Sequence, residues 1–161
     1  ASSGHLPMKR ETIDIGRLLE QTLGEMDEEL CESGFQLKKD YPLTGMHVLC
    51  DGLHMHRVFQ NLFDNALKYA CPQTRIFIHA SQRSNQFCEI RIRNTSRVPL
   101  DFDPEEITKR FVRGEKARTG EGSGLGLAIA KTYTESCGGQ FHIVIEDDCF
   151  IAVVCLPSIT S

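Results

Sequence analysis

No apolar run in these 161 residues approaches the length of a bilayer span, and no stretch has the layout of a secretory signal peptide. A long basic run is missing as well. Together with a formal net charge of −4, that argues against nucleic acid as a partner. No two cysteines stand in a C-x-x-C pair. The seven of them, Cys31, Cys50, Cys71, Cys88, Cys137, Cys149 and Cys155, are scattered and odd in number. This is no disulfide framework and no zinc site of the usual spacing, and it reads as free thiols in a reducing compartment. Internal repeats and low-complexity tracts are also absent.

What is present is enough for one folded domain. Hydrophobic residues make up 40% and charged residues 25%, a globular balance on a chain long enough to bury a full core. Residues 1–11 are expected to form a flexible N-terminal segment, residues 12–158 the domain, and residues 159–161 a tail. Thr12 to Ile15 reads as a short strand. Gly16 to Ser33 carries Leu18, Leu19, Thr22, Leu23, Met26 and Leu30 at helical spacing, so one amphipathic helix ending near Gly34 is predicted. Phe35 to Tyr41 and Met46 to Cys50 read as strands. Thr74 to Ala80 and Phe87 to Arg93 alternate and should pair antiparallel across the turn Ser81 to Gln86. Asp103 to Phe111, opening D-P-E-E, predicts a short helix. A helix Gly124 to Cys137 stops at Gly138-Gly139, and Gln140 to Ile145 with Phe150 to Leu156 closes the domain as a hairpin.

Two stretches carry chemistry. The first is Arg110 to Lys131, R-F-V-R-G-E-K-A-R-T-G-E-G-S-G-L-G-L-A-I-A-K. Gly122, Gly124 and Gly126 alternate and run into a helix with Leu125, Ala128, Ile129 and Thr132 on one face. Glycines let a backbone approach a bulky anion, and a helix start offers unpaired N–H groups and a positive dipole end. That is the layout of a phosphate cradle; an ordinary loop with a tight helix start is the plainer alternative. Neither the G-x-x-x-x-G-K-[ST] loop nor the dinucleotide fingerprint has this spacing. Glu115 to Glu121 is too polar to pack and reads as a lid.

The second is Arg57 to Ala70, R-V-F-Q-N-L-F-D-N-A-L-K-Y-A. Val58, Phe59, Leu62, Phe63, Ala66 and Leu67 make a core face, with Asp51 as N-cap. Arg57, Asn61, Asn65 and Lys68 follow at three- and four-residue steps on the opposite face. Such a stripe is usually a solvated surface. Two asparagines one turn apart speak against that, because asparagine is a poor helix former. Amide oxygens suit a hard cation carried in with nucleotide phosphates.

N-L-F-D-N-A-L-K-Y-A resembles the N box of sensor histidine kinases. Phe111 with G-E-G-S-G-L-G-L-A-I-A-K resembles their F box, lid and second glycine box. The two occur in the family's order, and the resemblance runs from about Thr12 to Pro157. It implies an α+β fold: a two-layer α/β sandwich of the Bergerat ATP-binding type, with a mixed sheet, three main helices on one face and an ATP lid. It implies a protein-histidine kinase domain of a two-component system, binding ATP and Mg²⁺ and donating the γ-phosphoryl group to a histidine. By this resemblance Asn65 coordinates Mg²⁺ and Asn61 supports the phosphates or metal. Lys68 reaches a phosphate, and Tyr69 packs on adenine or ribose unless it is simply a half-buried core tyrosine. Arg113 and Lys116 in the lid neutralise phosphate charge, with Arg118 as the competing cation. Phe111, Ser123 and Leu125 belong to the nucleotide boxes, and Gly122, Gly124 and Gly126 offer backbone amides. Asn61, Lys68 and Arg113 are thus the catalytic candidates.

Related ATPases that hydrolyse ATP use a glutamate base where Asn61 stands, and an amide takes no proton from water. The expected chemistry is therefore transfer rather than rapid hydrolysis. None of His5, His47, His54, His56, His79 and His142 sits in a phosphoacceptor motif. The resemblance therefore implies a partner: a phosphoacceptor dimerisation domain of the same kinase, with a response regulator further on. It also implies a cytoplasmic domain of a membrane-anchored sensor without membrane contact of its own, and no autophosphorylation by the isolated chain. His54 and His56 read as exposed surface residues. After the strand Phe87 to Arg93 the family's D-x-G-x-G is replaced by N-T-S-R-V-P-L. Asn94 stands in the place of the adenine-binding aspartate, or else caps the strand-to-loop turn. A regulatory nucleotide-binding module and an anti-sigma-factor-type serine kinase are the competing functions.

Overall fold

The computed structural model describes residues 9–83, 86–97 and 125–159. The predicted helix Asp103 to Phe111, the lid, and with them Phe111, Arg113, Lys116, Gly122, Ser123 and Gly124 lie outside the described residues. The elements run β1 (Glu11–Asp14), α1 (Ile15–Glu25), α2 (Asp27–Ser33), β2 (Gln36–Asp40), β3 (His47–Cys50), α3 (Gly52–Tyr69), β4 (Arg75–Gln82), β5 (Phe87–Thr95), α4 (Leu125–Ser136), β6 (Gln140–Glu146) and β7 (Cys149–Pro157).

Five strands form a mixed sheet in the order β2-β4-β5-β7-β6, and β1 and β3 make a separate antiparallel ribbon. Among the described strands only the β2–β4 pair is parallel. The register stacks inward-facing residues in rows across the sheet. Ile76, Asn94, Phe150 and Ile145 share one row, and Ile78, Ile92, Ala152 and Ile143 the next. Ala80, Ile90, Val154 and Phe141 make the third. These rows meet Leu19 and Leu23 of α1, Phe59, Leu62 and Phe63 of α3, and Leu127 and Ala130 of α4 in one core. This is the two-layer α+β sandwich with a mixed sheet that the sequence implied. Strand β7 is buried on both faces, Ile151 and Val153 included, as its unbroken apolar run suggests.

The structure corrects two details. The predicted helix Gly16 to Ser33 is broken at Met26, whose backbone (φ −106°, ψ 11°) leaves the helical region. The periodicity runs through the break because Met26 and Leu30 are both buried. Three acidic residues, Asp27, Glu28 and Glu29, occupy the first turn of α2, where they favour a new helix start. In α4 the buried residues are Leu127, Ala130 and Thr134, with Ala128 and Ile129 half-buried and Thr132 exposed. The apolar run L-G-L-A-I-A has no polar side to choose a face, so packing chooses it. The helix ends as predicted. Gly138 turns the chain at φ +83°, and a Cβ on Gly139 would stand 2.1 Å from the Cys155 carbonyl oxygen.

Helix α3 starts where Asp51 caps it. Its Oδ1 accepts from Leu53 N at 3.0 Å and His54 N at 3.1 Å, and its Oδ2 accepts from Lys9 N at 2.8 Å. Burial pushes this carboxyl up, but the N–H groups of Lys9, His54 and Leu53 and the charge of His54 outweigh it and hold the carboxyl below its ordinary range. A depressed folded-state value contributes stability above the unfolded pKa of about 3.9 and loses it as pH falls through the lower folded value. Asp51→Ala should cost about 1–2 kcal/mol at neutral pH. Asp51→Asn should retain part of the cap and flatten the loss of stability below about pH 5. Urea denaturation across pH checks this; parallel acid profiles for parent and Asp51→Asn would contradict it.

Candidate functional site

An antiparallel helix pair brings two of the candidate residues, Asn61 and Gly126, together. A Cβ built on Gly126, at the start of α4, would lie 3.5 Å from Asn61 Cβ and 3.6 Å from its Cγ. Two turns back along α3 and two turns forward along α4, the rings of His54 and Tyr133 stack at 4.2 Å between centroids and 19° between planes. The two helices therefore run antiparallel, and the first turn of α4 opens beside the middle of α3. That places the positive end of the α4 dipole next to Asn61.

Asn61 is half-buried, and its Nδ2 is buried without a hydrogen-bond partner among the described residues. Asn65 lies one turn on, also half-buried. Arg57 and Lys68, the other two members of the polar stripe, are exposed. Lys68 Nζ pairs with Asp64 Oδ2 at 3.5 Å across one turn. Both side chains are about half in solvent, at 46% and 49%, so the pair is weak and the lysine can leave it for another anion. Among the described residues no group of three or more His, Cys, Asp or Glu side chains could hold a metal ion. The donors at hand are amides, which suits a cation that keeps its waters and takes most of its oxygens from phosphates.

Asn94 is the candidate residue on the sheet. It faces inward on β5, 2% exposed, between Ile76 of β4 and Phe150 of β7. Its Nδ2 has no partner among the described residues. An Asx turn would use the N–H of Ser96, two residues on. That N–H donates instead to the Asp148 carbonyl at 2.7 Å. The strand exit is laced to the end of α3: Cys71 N donates to Thr95 O at 2.7 Å and Arg97 N to Tyr69 O at 3.0 Å. Asn94 is thereby held beside the half-buried Tyr69 and the last turn of α3. Leu125 begins α4, and the remaining candidates, Phe111, Arg113, Lys116, Gly122, Ser123 and Gly124, fall outside the described residues.

His54 is not the exposed residue that the sequence suggested. Its side chain is 14% exposed and lies between Asp51 and Tyr133. The local signal is ambiguous: His54 precedes the buried Val58 and Leu62 at four-residue steps, yet it lies at the border of core face and polar stripe. His56 is 26% exposed and held by Glu25 at 2.6 Å, so it serves the α1–α3 contact.

The family model of the histidine kinase-, DNA gyrase B- and HSP90-like ATPases matches residues 50–158. The adaptive-response sensory kinase SasA of Prochlorococcus marinus is 24% identical over 89% of this chain and 40% of its own length. SasA of Synechococcus elongatus is 32% identical over 80% of this chain and 33% of its own. The histidine-protein kinase/phosphatase MprB of a Mycobacterium species is 27% identical over 83% and 25%. The chain thus spans two-fifths or less of these relatives. Among solved structures, the catalytic domain of the histidine kinase ThkA superposes with a TM-score of 0.79 at 17% identity, covering 93% of this chain and 98% of that one. The mycobacterial sensor kinase MprB gives 0.76 at 21%, covering 95% and 100%. These likenesses establish the fold. The matched residues include α3, β5 and α4, the three elements that carry the described candidate residues, and the chain belongs to the histidine kinase-, DNA gyrase B- and HSP90-like ATPase family.

Proposed function

We propose that this chain is the catalytic, ATP-binding domain of a two-component sensor histidine kinase. It holds Mg-ATP between α3, the start of α4 and the end of β5. It passes the γ-phosphoryl group to a histidine on a phosphoacceptor domain of the same full-length kinase, from which a response regulator would be served. The observation that carries this reading is Asn61: a buried amide N–H, unpartnered among the described residues, beside a helix N-terminus, a natural place for phosphate oxygens. A solved kinase of the same fold, full-length ShkA, was crystallised with the ATP analogue AMPPNP; it superposes with a TM-score of 0.76 over 97% of this chain.

In this reading the Asn65 amide oxygen contributes a ligand to Mg²⁺, which when bound neutralises phosphate charge. Asn61 and the amides of the α4 start hold the phosphates, and Lys68 swings from Asp64 to join them. Tyr69 flanks the base or ribose, and Asn94 reads the purine edge. Phe111, Arg113, Lys116, Gly122, Ser123 and Gly124 complete the site from the lid and glycine box. No carboxylate base stands at Asn61 to activate water, so the bound phosphoryl group waits for an external imidazole. A cytoplasmic position beside a membrane-anchored sensor follows from the same proposal. No helix among the described residues is long and apolar enough to cross a membrane.

ATP affinity should fall on the order of micromolar to millimolar. Asn65→Ala should weaken it about tenfold or more in Mg²⁺, the loss expected of one ligand, and little in EDTA. Calorimetric titration decides, and an unchanged magnesium dependence removes Asn65 from the metal.

Gly126→Ala separates packing from ligand approach. The added Cβ would meet Asn61 at an ordinary contact distance of 3.5 Å, and alanine in a helix gains about 0.5–1 kcal/mol over glycine. The variant should melt no lower than the parent yet bind Mg-ATP more weakly. Thermal shift with and without nucleotide measures both, and equal nucleotide-induced shifts would show that the backbone at Gly126 does not face the phosphates.

Asn94→Asp tests the base. An aspartate only accepts, favouring the adenine amino group and repelling the hypoxanthine carbonyl; an asparagine can present either its oxygen or its NH₂. The parent should discriminate ATP from ITP less sharply than Asn94→Asp, by on the order of 1 kcal/mol. Identical affinity ratios in competition binding would mean that Asn94 does not read the purine.

A further inference from the structure

The α3–α4 seam does not end at His54 and Tyr133. One turn beyond them lie Cys50, which precedes the Asp51 cap of α3, and Cys137, which follows the last turn of α4. Both belong to the same core, 0% and 2% exposed. The Cys50 S–H and the Asp51 N–H both donate to the Cys137 sulfur. From these two contacts, against its own burial, the Cys137 thiol is drawn below the ordinary cysteine range. Cys50, the donor, is pushed above it by that bond and by burial. Thiols this close, in unequal roles and on different elements, are more than core packing requires.

We propose that Cys50 and Cys137 form a redox-active dithiol, which a peroxide closes into a disulfide joining the start of α3 to the end of α4. Cys137 thiolate attacks one oxygen of the peroxide. An S–O bond forms, the O–O bond breaks, and hydroxide leaves. Cys50 then attacks the Cys137 sulfenic sulfur, forming the S–S bond and expelling a second hydroxide. The two thiol protons complete two waters for hydrogen peroxide, and the dithiol supplies both electrons. Little motion is needed to pass from hydrogen-bond contact to an S–S bond of about 2 Å.

Access comes from the two-stranded ribbon. Glu11 of β1 pairs with Cys50 of β3, and β1 has no other partner strand among the described residues. A two-stranded ribbon is marginally stable by itself, so its opening uncovers the pair without unfolding the sheet. Closure would lock the end of the seam opposite to Asn61 and Gly126. The other five cysteines offer no such arrangement: Cys31 is exposed, Cys71 is half-buried after α3, Cys149 and Cys155 are half-buried six residues apart on β7, and the buried Cys88 of β5 donates its thiol to Gln82 Oε1.

The test is peptide mapping of the intact chain after hydrogen peroxide, alkylation and non-reducing digestion, with the exposed Cys31 as monitor of dose. The expected product links the Cys50 and Cys137 peptides and is cleaved by dithiothreitol. At a dose that oxidises Cys31, recovery of Cys50 and Cys137 as alkylated thiols or as separate sulfinic acids overturns the proposal. So does linkage of either one to a different cysteine. Cys50→Ser should leave a dimedone-reactive sulfenic acid at Cys137, and Cys137→Ser should leave Cys50 reduced at the same dose. Dimedone labelling of Cys50 in Cys137→Ser, with none of Cys137 in Cys50→Ser, would contradict the assignment of Cys137 as the attacking thiol. Mapping of the unmutated chain decides the pairing even where a serine variant fails to fold.

Discussion

The antiparallel packing of α3 on α4 is the constraint on which the site depends. It sets Gly126 against Asn61 and Tyr133 against His54. Because the helices are rigid, fixing one contact along the seam fixes the others to within a side chain's reach. The seam is anchored at its base by Asp51, which caps α3 and also receives the Lys9 N–H. A change at the cap is thus felt along α3 as far as the asparagines, through helix position rather than through any bond to the ligand.

The sheet supplies the other wall. Three short backbone connections tie the exit of β5 to its surroundings: Cys71 to Thr95, Arg97 to Tyr69, and Ser96 to Asp148 in the turn between β6 and β7. They hold the last turn of α3 at a fixed offset from Asn94. The β6–β7 hairpin, remote in sequence from the polar stripe, is therefore part of the scaffold that positions it. Backbone hydrogen bonds suit this task better than side chains, since they leave the asparagine amides uncommitted.

Much of this was legible because two signals agreed. Periodicity put Phe59, Leu62 and Phe63 in the core, and the same helix set Asn61 and Asn65 apart from that face. The strand pairs followed from alternation, and the cap at Asp51 from residue type. What escaped had no local signature. Met26 breaks a helix whose apolar spacing continues unbroken, because burial of Met26 and Leu30 together matters more than the straightness of the backbone. The buried face of α4 was misplaced because an all-apolar run has no preferred side. His54 sits on the boundary between two faces, and only the arrival of Tyr133 from a segment far along the chain decides which one it joins. The meeting of Cys50 with Cys137 is of the same kind. It follows from helix register, which depends on tertiary packing and not on either cysteine's neighbours in sequence.

The energetics of the two asparagines point the same way as their positions. A buried polar group without a partner costs about 1–3 kcal/mol, so a fold selected for stability alone would carry an apolar residue at each place. Among the described residues Asn61 and Asn94 each keep an unpartnered amide nitrogen, and each stands on an element of the proposed nucleotide site. Thr134 has a hydroxyl unpartnered among the described residues too, but it is fully buried among the core residues of α4 and is not one of the proposed site residues. Both orphaned asparagine groups are donors, whereas phosphates and purine ring nitrogens are acceptors. A ligand that brings acceptors to both places restores hydrogen bonds whose desolvation the folded chain already bears. Its binding free energy therefore includes a term that a prepaired surface cannot offer. Binding and local stability are coupled through this term, since whatever occupies both asparagines also tightens the last turn of α3 against β5 and the first turn of α4 against α3.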